Sequence, residues 1–356
     1  MPLDGLAPRP LSEVWLLTAE LRAGVIGVGA MGQNHARVLS QLRRVRLAGV
    51  ADVDESRANA IAAVYGVPAH TDFRELLKEV DIATIATPTV THCDVGSAAL
   101  NAGVHALVEK PLASTPEEAQ QLCGLAETNG VKLQVGHIER FNPAFRELPT
   151  VLGDSRTTAL SARRLSPVLR VTDVDVVLDL MVHDLDIICS LVGDVPTYVD
   201  AVGVSTNGVG TDHAVAHLVF PDGTLGQLTA IRITAHRVRT LDIVQKGAHI
   251  ELDYLSRRVV VHRQQGPASP WDDHDVSHRE GGVLEKVFVP DVEPLQLELE
   301  SFVGCVLGDT EPEVSGQDGL RAVELAHAIR QSIDEKGCLG SRSPNPAAPW
   351  TAQCST

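Results

Sequence analysis

Aromatic residues are scarce: Trp, Tyr and Phe together make up 3% of the 356 residues. A core short of rings has to be filled by Val, Leu, Ile and Ala, and that aliphatic bias suits a buried parallel sheet. Paired cysteines are missing too. Cys93, Cys123, Cys189, Cys305, Cys338 and Cys354 are scattered, with no CxxC among them. The pattern speaks against a disulfide framework and against zinc held by cysteine pairs, and it fits reduced thiols in the cytoplasm. Positive charge is in deficit, with 30 Lys and Arg against 46 Asp and Glu, a net charge of −16. Such a chain has no general attraction for nucleic acid or an anionic membrane, although a local basic patch can still hold a phosphorylated small molecule. No apolar run reaches the roughly 18 residues of a membrane span. Residues 1–20 lack a basic start and carry Asp4, Glu13 and Glu20 in or beside their apolar part. They read as a leader extension, not a signal peptide.

What is present is a two-part grammar. Over residues 21–140, apolar runs such as LRAGVIGVG, VRLAGVAD, VDIATIATP, VHALVEKP and VKLQVGH alternate with helical patterns. Gly66, Gly103 and Gly130 close helices, and Pro88 and Pro111 stop strands. Strand and helix in alternation predict a doubly wound parallel sheet. Over residues 141–336 the strands lengthen (YVDAVGVST, AVAHLVF, LGQLTAIRIT, LDIVQKGAHIELD) and Pro221-Asp222-Gly223 signals a hairpin. Helices are expected around 177–191, 293–307 and 319–336. The expected fold is therefore α/β, a Rossmann domain followed by an α+β domain on an open, mostly antiparallel sheet. Residues 266–282 read as an irregular loop, and the Pro/Ser-rich residues 337–356 as a frayed tail.

The strongest local motif is Gly27-Val28-Gly29-Ala30-Met31-Gly32, which follows a strand and opens a helix. In that setting Gly27 permits the tight turn, Gly29 lets a pyrophosphate approach the backbone, and Gly32 lets helix and strand pack closely. The helix start offers free N–H groups to phosphates. Asp52 ends the second strand, 20 residues past Gly32, where an acid binds the ribose hydroxyls of NAD and repels the 2′-phosphate of NADP. Arg57 is the counterweight, a cation near the same ribose. NAD is the expected cofactor.

Three further motifs carry chemistry: Ala86-Thr87-Pro88 with His92, Glu109-Lys110-Pro111, and Asp179-Leu180-Met181-Val182-His183-Asp184. Ala86, Thr87, Pro88, His92, Glu109 and Lys110 are expected to face the cofactor. Taken singly, each has a plain reading: a strand stop, a surface lysine, a core histidine. Together and in this order they resemble the glucose-fructose oxidoreductase, inositol dehydrogenase and rhizopine-catabolism (Gfo/Idh/MocA) family, over residues 21–336. The resemblance implies hydride transfer between a nicotinamide and a sugar or cyclitol carbon. It matches Lys110, Asp179 and His183 to the catalytic lysine, aspartate and histidine. It also implies second-domain sheets paired face to face in a homodimer or homotetramer.

The residue chemistry agrees with those roles. Oxidation of a secondary alcohol needs a base, and histidine is poised for proton transfer near neutrality. Asp179 and His183 stand at i and i+4, so the carboxylate is expected to touch and orient the ring. Lys110 offers a positive charge to a developing alkoxide. Asp184, on another part of the helix, is expected to cap or bind substrate. No third ligand accompanies Asp179 and His183, so no metal is expected there. Two segments, Val135-Gly136-His137-Ile138-Glu139-Arg140-Phe141-Asn142-Pro143 and Arg170-Val171-Thr172-Asp173-Val174, resemble dehydrogenases acting on carbon 3 of UDP-N-acetylglucosamine, as do EPLQLELESF and VSGQDGLRAVELA. That resemblance implies a 3-keto product and an aminotransferase as pathway partner. A nucleotide sugar needs cations for its diphosphate, and Arg140, Arg163, Arg164 and Arg170 are candidates, with Asn142 beside them. Two alternatives stay open: an inositol or simple-sugar dehydrogenase, and a catalytically silent NAD-binding sensor.

Overall fold

The computed structural model describes residues 20–167, 174–206, 210–263 and 283–336. Arg170, almost all of the leader, the loop expected at 266–282 and the tail lie outside them. Six strands form the first sheet: β1 (Leu21–Ile26), β2 (Val45–Ala51), β3 (Ala69–His70), β4 (Ile82–Ile85), β5 (His105–Glu109) and β6 (Leu133–Gly136). Their order is β3-β2-β1-β4-β5-β6, and every pairing is parallel. Five helices link them: α1 (Ala30–Leu39), α2 (Glu55–Tyr65), α3 (Phe73–Leu77), α4 (His92–Asn101) and α5 (Pro116–Asn129). Local chemistry sets the helix ends. The Asp54 carboxylate caps α2 through Arg57 N, and Gly66 closes it at φ 65. Thr115 and Pro116 open α5, and Gly130 closes it at φ 64.

Two short helices, α6 (Pro143–Arg146) and α7 (Leu148–Leu152), lead into an eight-stranded sheet. Its strands are β7 (Thr157–Leu165), β8 (Tyr198–Val204), β9 (His213–Val219), β10 (Leu225–Ile231), β11 (Val238–Gln245), β12 (Ala248–Asp253), β13 (Arg258–Arg263) and β14 (Val283–Lys286), in the order β14-β13-β12-β11-β7-β10-β9-β8. Only β7 and β10 run parallel. The inner face buries Leu160, Ala162, Leu228, Ala230, Leu241 and Ile243 against α8 (Val182–Val192), which follows a π-helical turn at Val177–Met181.

The last two helices, α9 (Pro294–Gly308) and α10 (Gly316–Lys336), correct the expected division of the chain. Although they follow the second sheet in sequence, α9 packs on the first. Leu295, Leu299 and Phe302 share one core with Val25, Val50, Ile82 and Leu107. Helix α10 joins both halves. Leu320 and Val323 belong to the core of the first sheet, while Leu325, Ala326, Ile329 and Ile333 belong to that of the second.

Candidate active site

The turn between β1 and α1 has the geometry of a phosphate cradle. Gly27 takes φ +83, a conformation that favours glycine. A Cβ on Gly32 would meet Gly27 O at 1.8 Å, so only glycine lets α1 start this close to the strand. A Cβ on Gly29 would meet nothing within 4 Å. That open space lies at the N-terminal end of α1, where Ala30 and Met31 form the first turn, and it fits a pyrophosphate at the free N–H groups.

Asp52 anchors this turn. Its Oδ2 accepts from Val28 N at 2.9 Å, its Oδ1 from Asp54 N at 2.9 Å, and Arg57 Nη1 stands 3.2 Å from Oδ2. Arg57 also pairs with Asp54 at 3.2 Å, so its charge is shared between two carboxylates. Ala86, Thr87 and Pro88 follow β4 as a loop beside Gly27. His92 lies under that loop. One ring nitrogen is 2.9 Å from Thr87 O and the other 2.9 Å from Pro111 O, so the side chain ties two loops together. This corrects the expectation that His92 faces the cofactor.

Glu109, at the end of β5, points inward. Its Oε1 lies 3.0 Å from His35 Nε2 of α1. Burial would raise this carboxyl, but the His35 hydrogen bond and nearby positive charges hold it below the usual range. Beneath it, Glu298 of α9 is fully buried with both carboxylate oxygens unpartnered. Burial first, then the Glu109 charge, pushes the Glu298 acid well above its ordinary value, which favours its protonated form. His35 and Glu298 were invisible to sequence reasoning, because nothing short of the α1–α9 packing brings them together.

The next residue, Lys110, turns the other way, into the cleft between the halves. Its Nζ donates to Asp179 O at 2.8 Å and lies 3.3 Å from Asp179 Oδ1. The expected partner of the Asp179 carboxylate was His183, one turn on; the structure gives it to Lys110. His183 itself is half-buried, with Nδ1 shielded and free of hydrogen bonds. Burial, then the charges of Lys110 and Arg164, push its ring well below the usual value. That shift favours the neutral imidazole. The ring of His137 stands edge-on to it, centroids 6.3 Å apart, with both of its nitrogens buried and unpartnered. His137 was visible in the segment after β6 but was not singled out.

The arginines divide sharply. Arg164 is buried on the inner face of β7, bidentate to Asp184 (3.0 and 2.8 Å) and 2.9 Å from Glu139. The Asp184 and Glu139 charges raise it against the effect of burial. Asp184 is thus committed to Arg164. Arg163 faces the opposite, exposed side of the sheet, away from the core that carries His183. Arg140 is spent on Asp186 (2.8 and 3.2 Å) and Ser190. Asn142 caps α6 through Ala144 N and reaches Glu139 and Tyr254 O. Of the residues expected at a diphosphate, Arg140, Asn142, Arg164 and Asp184 are thus held in contacts within the protein, Arg163 lies on the other side of the sheet, and Arg170 lies outside the described residues. Arg239, opposite Arg164 on β11, was missed by sequence reasoning. It pairs with Glu139 at 3.3 Å while a third of its side chain stays exposed, and its charge reaches His183.

A profile of an oxidoreductase family with an NAD-binding Rossmann fold matches residues 21–137, and a profile of the Gfo/Idh/MocA C-terminal domain matches residues 161–251. The chain belongs to the Gfo/Idh/MocA family. Among members of that family, the UDP-N-acetylglucosamine 3-dehydrogenase of Acidithiobacillus ferrooxidans is 34% identical over 88% of this chain and 97% of its own. Inositol 2-dehydrogenase of Rhizobium meliloti is 28% identical over 89% and 98%. A solved structure of the Acidithiobacillus enzyme superposes with a TM-score of 0.81 at 33% identity, covering 89% of this chain and 99% of that one. Levoglucosan dehydrogenase in complex with NADH shares the fold, with a TM-score of 0.79 at 19% identity over 89% and 98%. As a Gfo/Idh/MocA oxidoreductase the protein uses NAD.

Proposed function

We propose that the protein oxidises a secondary alcohol of a sugar with NAD, and that the alcohol is carbon 3 of UDP-N-acetylglucosamine. The observation that supports this substrate is the 34% identity to a UDP-N-acetylglucosamine 3-dehydrogenase across almost its whole length. The site supplies the chemistry. His183, neutral in its half-buried setting, takes the hydroxyl proton. Lys110, held by Asp179, offers its ammonium to the oxygen as negative charge develops. NAD, when bound, accepts the hydride. Arg239, a third exposed although it shares Glu139 with Arg164, is the better placed of these described arginines to meet the diphosphate, since Arg140 and Arg164 are buried against Asp186, Asp184 and Glu139. Asp52 selects NAD over NADP. The product is the 3-keto sugar, and an aminotransferase is the class of enzyme to consume it.

The decisive experiment follows NADH absorbance with purified protein, NAD and either UDP-N-acetylglucosamine or myo-inositol. Turnover of the nucleotide sugar, with myo-inositol inert, is the expected result; the reverse ranking would replace this reading with the inositol one, which the 28% identity to inositol 2-dehydrogenase favours. No NADH with any sugar would leave the silent sensor.

The proposal extends to assembly. The outer face of the second sheet carries Tyr198, Val202, Leu225 and Val244, all large apolar residues at least 40% exposed. An apolar face of that kind suits a second copy of the chain.

A further inference from the structure

On that same outer face, opposite the core that carries Ile243, Ile250 and Val261, four ligating side chains meet. His249 of β12 and His262 of β13 are direct cross-strand partners, and their rings stack with centroids 5.6 Å apart and 25° between planes. Glu251 lies two residues along β12 on the same face, with Oε1 3.2 Å from His262 Nε2. Asp242 of β11 sits opposite Glu251 and holds the His249 ring, Nε2 to Oδ1 at 3.2 Å. Pairing alternates along the strands, so these four project opposite to Ile243, Ile250 and Val261 of the inner core.

We propose that His249, Glu251 and His262 bind a divalent transition-metal ion, zinc being the best fit, on the face of the sheet opposite His183. Two independent observations carry this. The first is metric. One donor atom from each of the three lies within 4.8 Å of the others. Around zinc, bonds of about 2.0–2.2 Å put neighbouring donors roughly 3.3 Å apart. The His262–Glu251 distance already has that value, and small side-chain rotations close the rest. The second is a close donor pair. His262 Nε2 is shielded from water, and the Glu251 oxygen stands 3.2 Å away, off the line of a hydrogen bond. A carboxylate oxygen that close to a ring nitrogen needs positive charge, carried by a protonated ring or by a cation between them. A metal ion satisfies both donors at once. The donor set, two imidazoles and a carboxylate, is the borderline N/O type that suits zinc, nickel or cobalt and not calcium or magnesium. Asp242 supplies the carboxylate behind a metal-binding histidine that fixes the ring. Three protein donors leave at least one position open to water.

The test uses tag-free full-length protein stripped with chelator. Titration with zinc chloride by calorimetry, and elemental analysis after dialysis, should give one ion per chain. Cobalt should give visible absorption bands from a site with nitrogen donors. The double variant His249→Gln/His262→Gln should abolish the saturable zinc and the cobalt bands, and Asp242→Asn should weaken binding by about 10–100-fold. Should the double variant melt at a lower temperature than the wild type, Glu251→Gln serves for the same comparison. Absence of saturable binding, or binding of unchanged stoichiometry and affinity in the variants, overturns the proposal. NADH production plays no part in these readouts, so the outcome is independent of the substrate assignment.

Discussion

A neutral histidine among cations has a defined pH signature. Burial and the charges of Lys110 and Arg164 depress His183, so its acid limb should begin below the ordinary imidazole range of about 6.5. His183→Ala should lower kcat by ~10²–10⁴ and erase that limb, while NAD affinity, read by protein or cofactor fluorescence, stays near wild type. Near-normal kcat with an unchanged profile would place the base elsewhere. Because Asp179 holds Lys110 and not His183, Asp179→Asn should behave as a mild version of Lys110→Ala, lowering kcat with the pH limb intact. Glu298 gives the opposite lesson in stability. Its acid is raised in the folded state, so above about pH 4.5 the unfolded chain releases a proton that the folded chain keeps. Stability is lost as pH rises through that window. Glu298→Gln removes the loss, and the melting temperature of the variant relative to wild type should rise as pH climbs above about 4.5; a difference independent of pH would show that the acid is not raised in the fold.

At the scale of elements, the β1–α1 turn separates packing from ligand binding within six residues. Gly32→Ala drives a methyl into Gly27 O and should cost about 3 kcal/mol or more, seen as a lower denaturation midpoint. Gly29→Ala meets open space, so the midpoint should hold while NAD affinity falls. Equal loss of stability in both variants would refute the distinction. This part of the molecule was legible in the sequence because it is local: a strand, three glycines, and an acid at the next strand end follow from spacing alone. The helix carrying Asp179 and His183 was legible for the same reason. The partner of Asp179 was not, since Lys110 arrives from 69 residues away. Nor was the fate of the arginines. Sequence shows Arg163 and Arg164 as neighbours, but strand alternation sends one outward and the other into a buried triad with Asp184 and Glu139.

At the scale of the whole molecule, the order of segments along the chain is not the order of layers in space. Composition and periodicity divided the chain into a parallel and an antiparallel half, and both sheets are present. What periodicity lacks is any signal for which sheet an amphipathic helix will cover, and α9 covers the distant one. The outer face of the eight-stranded sheet carries its own prediction. Tyr198, Val202, Leu225 and Val244 should be covered by a second copy, so light scattering should report a dimer or tetramer, and Leu225→Lys should shift it toward monomer with the fold intact. A wild-type monomer at working concentrations would end this idea.

The return of α9 also bears on how the protein is made. Synthesis runs from the N-terminus, and domains generally fold in that order as they emerge. Here the first domain cannot finish first. Val25, Val50, Ile82 and Leu107 wait for Leu295, Leu299 and Phe302, which are translated after the entire second sheet. Through most of elongation the nascent Rossmann half therefore shows the cell an apolar flank, the kind of surface that chaperones hold. A chain cut short between the end of β6 and the start of α9 would carry a complete first sheet that is still unsealed.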